Sequence, residues 1–150
     1  MGFAYLHTEP EPYRHQADFM HWAYDKPCVA LFAGIGTGKS RMLIDLAANR
    51  FAEGKIDSCL VIAPSGVQHQ WNDEQIPRFC ACGWESLVFT SGMGKGRMDA
   101  FEEFCRPEKG RLRWLLANSE LFSRNTYLPH FRAFLKATRC FTIIDESHYV

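Results

Sequence analysis

The sequence has no long hydrophobic run, although 47% of its residues are hydrophobic. A membrane-spanning helix needs about 20 consecutive apolar residues, and no stretch approaches that length. The first residues also lack the basic segment followed by an apolar one that marks a secretory signal. Internal repeats and low-complexity segments are absent as well. We therefore expect a globular, cytoplasmic protein with no membrane partner.

Net charge is also absent, because 17 basic residues balance 17 acidic ones. No overall field attracts nucleic acid, so such a partner would have to bind one local face. Several basic residues cluster late in the chain, but acidic residues alternate with them. A nucleic-acid track and a solvated face are both open interpretations of this basic set, which comprises Lys95, Arg97, Arg106, Lys109, Arg111 and Arg113.

The six cysteines do not form the paired C-x-x-C pattern of a typical zinc site. Cys28, Cys59 and Cys140 belong to apolar runs, where cysteine acts as a small hydrophobic residue. Cys80, Cys82 and a more distant Cys105 leave two interpretations open. One is a zinc site completed by a histidine, and the simpler one is reduced thiols in a cytosolic protein.

Five short apolar runs predict β-strands: Cys28–Phe32, Cys59–Ala63, Ser86–Thr90, Arg113–Ala117 and Cys140–Ile144. Between them, helical spacing predicts helices over residues 13–24, 41–51, 67–79, 98–105, 118–123 and 129–137. Continuous apolar strands that alternate with helices predict an α/β fold with a parallel sheet covered on both faces. Residues 1–12 are predicted to be an extended lead-in, and residues 13–150 to form one domain.

A glycine-rich stretch, A-G-I-G-T-G-K-S at positions 33–40, separates the first predicted strand from the next helix. Glycines allow a tight turn in which several N–H groups face one anion, and the helix dipole adds to the attraction. Lys39 would reach the β- and γ-phosphates of a nucleotide, and the Ser40 hydroxyl would bind Mg²⁺. The predicted nucleotide-binding residues of this loop are Gly34, Ile35, Gly36, Thr37, Gly38, Lys39 and Ser40.

A second chemical motif, Asp145-Glu146-Ser147-His148, follows the last predicted strand. Acidic residues at the carboxyl end of a parallel strand lie where such sheets bind ligands. Asp145 would hold Mg²⁺, and Glu146 would orient or deprotonate the attacking water. Together with Lys39, these two carboxylates are the predicted catalytic residues.

The two motifs resemble motifs I and II of superfamily-two helicases, the second in its D-E-x-H form. The strict P-loop (Walker A) pattern has glycine where this chain has Ala33, and the variant with alanine is similar to the loop of that superfamily. Further stretches resemble the Swi/Snf-type branch of ATP-driven DNA translocases. Pro12-Tyr13-Arg14-His15-Gln16 is similar to its upstream segment, and Leu60-Val61-Ile62-Ala63-Pro64-Ser65 with Gln70-Trp71-Asn72-Asp73-Glu74 is similar to its motif Ia.

This resemblance implies further roles for individual residues. Gln16 would read the adenine edge, and His148 would couple the nucleotide site to the nucleic-acid site. The loop of Pro64, Ser65 and Gly66 would contact nucleic-acid phosphates, which positions the partner without reading its sequence. We expect Trp71 to be a packing residue rather than a base-stacking one.

The resemblance also implies ATP and Mg²⁺ as cofactors and duplex DNA, favoured over RNA, as the track. It covers the first RecA-like (P-loop NTPase) domain, and the chain stops soon after D-E-S-H, so we expect that domain to be incomplete. We also expect the second domain of that family, which supplies an arginine finger, to be missing from this chain. We expect the 150-residue chain to bind nucleotide weakly and to hydrolyse it hardly at all. The short spacers between motifs favour a bacterial or phage source.

Two other functions stay open at this stage. One is a helicase subunit of a restriction or recombination complex, whose missing domains come from another chain. The other is a short non-enzymatic form that binds DNA or a partner and inhibits the full enzyme.

Overall fold

Four parallel β-strands form the sheet at the centre of the fold. The structure is a computed structural model that describes residues 6–106 and 110–145. In chain order the strands are β1 (Ser58–Ala63), β2 (Trp84–Phe89), β3 (Leu112–Asn118) and β4 (Cys140–Ile144). They lie in the order β2-β3-β1-β4, and all three neighbouring pairs are parallel. The predicted α/β class and parallel sheet are therefore confirmed.

Helices precede, connect and flank these strands. The longer ones are α1 (Arg14–Ala23), α2 (Lys39–Ala52), α5 (Lys95–Cys105) and α6 (Leu128–Ala137). A composite helix consists of α3 (Val67–Gln70), a π-helical segment (Trp71–Gln75) and α4 (Ile76–Phe79), and a 3₁₀-helix covers Ser119–Ser123. Among the helices of the described ranges, none combines the length and the apolar character that crossing a bilayer requires.

The sheet is covered on both faces, as predicted. On one face, Cys59 and Val61 of β1 pack with Ile44 and Ala47 of α2. Leu60 of β1 faces the other way, into a cluster completed by three phenylalanines of α5 and α6, Phe101, Phe131 and Phe134. Six consecutive residues of the central strand β3, 112–117, are buried. A strand buried on both sides reads as a continuous apolar run, which is why the sequence predicted it correctly.

The predicted strand Cys28–Phe32 is wrong, because the structure has no strand there. Val29 and Leu31 pack against the cluster between α1 and α2, yet residues 28–34 pair with no strand of the described chain. Phe32 is 94% exposed. The apolar pattern alone cannot make a strand, since a strand needs a neighbour for its backbone hydrogen bonds.

The predicted helix over residues 67–79 contains a wider turn. The N–H of Ile76 bonds to the carbonyl of Trp71, five residues back. Pro77 follows at once and has no N–H to continue the ladder, so the backbone widens just before it. The predicted helix at 98–105 also differs, because α5 begins at Lys95, inside the turn expected there.

Candidate functional site

The glycine-rich loop turns sharply in front of α2. Gly36 and Gly38 have φ angles of 79° and 82°, in the left-handed region that side chains rarely adopt. Gly38 is also the N-cap of α2. The Thr37 hydroxyl donates to the Gly34 carbonyl at 2.8 Å and closes the turn. The two glycines are therefore required by the backbone path of this loop.

Lys39 curls back over the loop that precedes it. Its Nζ donates to the carbonyls of Ala33 at 3.1 Å and Gly34 at 3.2 Å. The ammonium group thus lies against the start of the glycine-rich loop. Ser40 follows in the first helical turn and is half-buried. Cation, helix N-terminus and hydroxyl together form a set of groups suited to a phosphate and its metal ion.

The N-terminus of α2 lies at the carboxyl edge of the sheet. At the opposite end of the helix, Arg50 contacts the Phe141 ring near the start of β4, with its guanidinium 4.9 Å from the ring centroid. A short connection then leads from Ala52 into the start of β1, against which α2 packs. The helix must therefore run antiparallel to β1. Its first residues lie at the edge where β1 and β4 end, the edge at which open α/β sheets bind ligands.

Gln16 contacts the loop directly. It is 4% exposed, and its Nε2 donates to the Thr37 carbonyl at 3.1 Å while its Oε1 accepts from the Tyr13 N–H at 3.0 Å. The structure therefore brings Gln16 together with the loop. Both ends of its amide hold protein groups, so reading an adenine edge would require exchanging one of these bonds. That role stays a prediction.

His15 is a neighbour of the loop that sequence reasoning did not single out. Its Nε2 lies 3.0 Å from the same Thr37 carbonyl oxygen, and its ring stacks on that of Tyr13, with centroids 5.9 Å apart. Both residues stand in the segment that pointed to Gln16. Tyr13 is the N-cap of α1, and His15 and Gln16 follow in its first turn. The closeness of Tyr13 and His15 to Gln16 in the sequence is the signal that could have identified them.

Asp145 stands at the same edge, directly after β4. Its N–H bonds to the Ile62 carbonyl at 2.8 Å, and its Oδ2 accepts from the indole Nε1 of Trp71 at 2.8 Å. Trp71 is 1% exposed, which agrees with a packing residue, but it also orients this carboxylate. Glu146, Ser147 and His148 lie outside the described residues. Within the described part, no hydrogen bond or ion pair joins Asp145 to Lys39 or Ser40.

The loop Pro64, Ser65 and Gly66 follows β1 and therefore lies at this edge too. Ser65 and Gly66 are exposed, and Gly66 has a φ of 90° where it caps α3. The Val67 N–H donates to the Pro64 carbonyl at 3.0 Å. The loop thus offers a small, exposed surface close to Asp145, and its contact with nucleic acid stays a prediction.

The basic set is not one face, because Arg113 is fully buried. It donates to Asp57 at 3.2 Å and to the carbonyls of Phe104 and Arg106. A continuous track through Arg113 is therefore wrong. Lys109 lies outside the described residues, and the exposed Arg106 pairs with Glu103 at 3.5 Å.

The three cysteines considered for zinc are divided by the sheet. Cys80 and Cys82 belong to the cluster on the α2 face, whereas Cys105 packs on the α5 and α6 face. A single ion cannot reach all three, so a shared site is excluded. Among the described residues, no group of three or more His, Cys, Asp or Glu side chains has the geometry to hold a metal.

A buried polar row on α2 holds the lead-in segment. Arg41 donates to the carbonyls of Thr8 and Pro10 and pairs with Asp45 at 3.4 Å. Asn49 bonds to both the N–H and the carbonyl of Leu6. Burial raises the pKa of Asp45 to about 6, although the Arg41 charge works in the opposite direction. The extended lead-in is thus docked along the helix that begins at the loop.

Comparisons with known proteins leave the chain without a family. No protein-family model matches it, and no curated protein matches it. Its function must therefore be argued from the geometry of this edge.

Proposed function

We propose that this chain is the ATP-binding part of a superfamily-two helicase or translocase of the Swi/Snf type. The observation that carries the proposal is the glycine loop, which caps α2 at the carboxyl edge of a parallel sheet where Asp145 also stands. In a P-loop NTPase of the RecA-like kind the glycine turn joins a strand to a helix, and an acidic residue ends a neighbouring strand. The turn, the helix and the acidic strand end support the proposal, whereas residues 28–32 before the turn form no strand.

The groups at this edge fit a magnesium nucleotide. The Lys39 ammonium group donates hydrogen bonds to two loop carbonyls, and phosphate oxygens would replace these carbonyls when a nucleotide binds. Ser40 and Asp145 are oxygen ligands of the kind that Mg²⁺ prefers. When bound, the ion would neutralise charge on the β- and γ-phosphates. The Trp71 indole holds one oxygen of the Asp145 carboxylate, which leaves the other oxygen for a ligand.

The chain's own residues would divide the remaining work as the resemblance implies. Lys39 would stabilise the developing phosphate charge, Glu146 would hold the attacking water and accept its proton, and Gln16 would select adenine. Gln16 would select adenine by exchanging its bond to the Thr37 carbonyl or to the Tyr13 N–H for a bond to the base.

Duplex DNA is the proposed track. Pro64, Ser65 and Gly66 would contact the phosphate backbone, and His148 would transmit the state of the nucleotide to that contact. Full hydrolysis would need an arginine finger from a second RecA-like domain, a contribution of about 10³–10⁵ in rate. We therefore expect Mg·ATP binding by the 150-residue chain and almost no turnover.

The test is ATP turnover by the folded chain with and without duplex DNA, beside Glu146→Gln. We expect turnover near background in both proteins and Mg·ATP binding in both. Turnover that DNA stimulates and Glu146→Gln abolishes would contradict the need for a second domain, and would mean that self-association completes the site. A folded chain that binds no nucleotide would contradict the proposal itself.

A further inference from the structure

Two thiols meet at the end of α4, on the face of the sheet that α2 covers. Cys80 is the C-cap of that helix, and its N–H bonds to the Ile76 carbonyl at 2.9 Å. The chain then turns, so that the Sγ of Cys82 comes to 3.6 Å from the Sγ of Cys80. A disulfide needs a separation of about 2 Å. The two sulfurs are therefore in contact and within about 2 Å of bonding distance.

The surroundings favour a thiolate on Cys80. The S–H of Cys82 lowers the pKa of the Cys80 thiol by hydrogen bonding to it, and the same bond raises the pKa of Cys82. The indole N–H of Trp114 is buried and has no hydrogen-bond partner among the described residues. It lies close enough to Cys80 to stabilise a negative sulfur there. The S–H of Cys82 and, to a smaller extent, the indole N–H of Trp114 therefore lower the pKa of Cys80, although burial works in the opposite direction.

Access to the pair is narrow. Cys80 is 8% exposed, whereas Cys82 is half-buried and opens to the surface. Such limited exposure favours a small oxidant over a bulky disulfide or lipid hydroperoxide. Hydrogen peroxide is the oxidant class that fits this opening.

We propose that Cys80 and Cys82 form a reversible dithiol–disulfide site that hydrogen peroxide oxidises. The Cys80 thiolate attacks one peroxide oxygen, the O–O bond breaks, and the departing hydroxide takes a proton to become water. Cys80 is then a sulfenic acid. The Cys82 sulfur attacks the Cys80 sulfur, a second water leaves, and the S–S bond forms. Two thiols and one peroxide thus give one disulfide and two waters, with two electrons passing from sulfur to oxygen.

The disulfide would be easy to reduce again. It closes a loop between residues only two apart, so it restricts the unfolded chain very little. Short, strained disulfides have more oxidising potentials than structural ones. An external dithiol should therefore restore both thiols, which makes this a reversible modification rather than a permanent cross-link.

The test maps the thiols of the whole 150-residue chain after treatment with hydrogen peroxide. Trypsin cleaves after Arg78 and Lys95, so Cys80 and Cys82 lie in one peptide, residues 79–95. We expect this peptide to lose about 2 Da, to refuse an alkylating reagent, and to accept two labels again after dithiothreitol. Recovery of the peptide with both thiols free after peroxide would overturn the proposal.

Two variants separate this pathway from general oxidation. In Cys82→Ser the second step cannot occur, so a sulfenic acid on Cys80 should persist and react with dimedone. In Cys28→Ser the exposed Cys28 thiol is removed, and the disulfide should form as in the unaltered chain. A pair that oxidises only by joining two chains through Cys28, or a Cys80 that gives no dimedone product in Cys82→Ser, would contradict the proposal. Neither reading depends on nucleotide binding.

Discussion

Both the backbone conformation and a neighbouring side chain require glycine at position 38. Its φ of 82° is left-handed, and a Cβ built there would lie 2.3 Å from the Nε2 of Gln16. Gly36 has nearly the same φ of 79°, but a Cβ there would meet no atom within 4 Å. Both glycines have a left-handed backbone, but only a side chain at position 38 would collide with Gln16. Substitutions at the two positions therefore separate the effect of the backbone from the effect of that collision.

We predict that Gly38→Ala is more damaging than Gly36→Ala. A left-handed alanine costs about 1 kcal/mol at either site. Only Gly38→Ala must also expel the buried Gln16 amide from Thr37, which brings the loss to at least about 2 kcal/mol. Urea unfolding of both variants measures this difference. Equal losses would show that the contact with Gln16 has no structural weight.

Asp45 is a buried acid whose pKa is raised to about 6 by burial, from an ordinary value of 3.8. The folded chain therefore binds more protons at this group than the unfolded chain between about pH 4 and pH 6. The free energy of unfolding must therefore fall as the pH rises from about 4 to about 6. Above about pH 6 Asp45 is charged, and the full cost of burying that charge is present. Arg41, Cys80 and His7 are the titratable groups coupled to it.

We predict that Asp45→Asn removes this part of the pH dependence. The free energy of unfolding of the variant, compared with that of the unaltered chain, should rise by on the order of 2 kcal/mol between pH 4 and pH 7. This change with pH is separate from whatever stability the variant loses by giving up the charge partner of Arg41. Thermal unfolding across that range measures the slope. Asp18→Asn, whose side chain is 71% exposed, is the control and should leave the slope unchanged. An unchanged slope in Asp45→Asn would contradict the argument.

At the scale of the elements, one carboxylate joins the beginnings of three strands. Asp57 precedes β1, and its two oxygens accept from Arg113 of β3 at 3.2 Å and from Arg139, just before β4, at 3.3 Å. Arg113 is 0% exposed, while the Arg139 side chain is 64% exposed. The Asp57 carboxylate therefore pairs with one buried arginine, Arg113, and with one solvent-exposed arginine, Arg139.

We predict that Arg113→Met destabilises the chain far more than Arg139→Met. Removing Arg113 takes the buried charge partner from Asp57, which keeps its pairing with Arg139. It also leaves the carbonyls of Phe104 and Arg106 without this donor, and the total cost is about 3 kcal/mol. Removing the exposed Arg139 should cost less than about 1 kcal/mol. Denaturant unfolding of the two variants provides the comparison, and similar losses would mean that the buried ion pair is not what aligns the strands.

Elements buried on both faces could be predicted from the sequence, whereas elements that depend on a partner could not. The strands β1 and β3 are buried on both faces and emerged from their apolar runs. The apolar run of β4 also predicted its strand, although β4 lies at the sheet edge and only Ile143 of it is buried. The run Cys28–Phe32 carries the same signal and forms no strand, because pairing depends on a neighbour that local pattern does not report. The π-helical turn before Pro77 likewise could not be predicted from the sequence, because it is visible only in the backbone hydrogen bonds.

At the scale of the whole molecule, the site could be predicted in part. The loop, Gln16 and Asp145 were identified from motifs, and the structure brings Gln16 to the loop and sets Asp145 at the edge where α2 begins. The link from Trp71 to Asp145 could not be predicted, because it joins residues far apart in sequence through a side-chain bond. Burial of Arg113 escaped the sequence for the same reason, since a charged residue in an apolar strand reads as surface.

The central claim is that the loop in front of α2 binds a magnesium nucleotide through Lys39. Isothermal titration of the folded chain with Mg·ATP tests it, beside Lys39→Ala and Lys136→Ala, a control on the exposed side of α6 across the sheet. We predict one bound nucleotide, an affinity at least about tenfold weaker in Lys39→Ala, and no change in Lys136→Ala. Binding that is equal in all three proteins, or absent from the unaltered folded chain, would contradict the account.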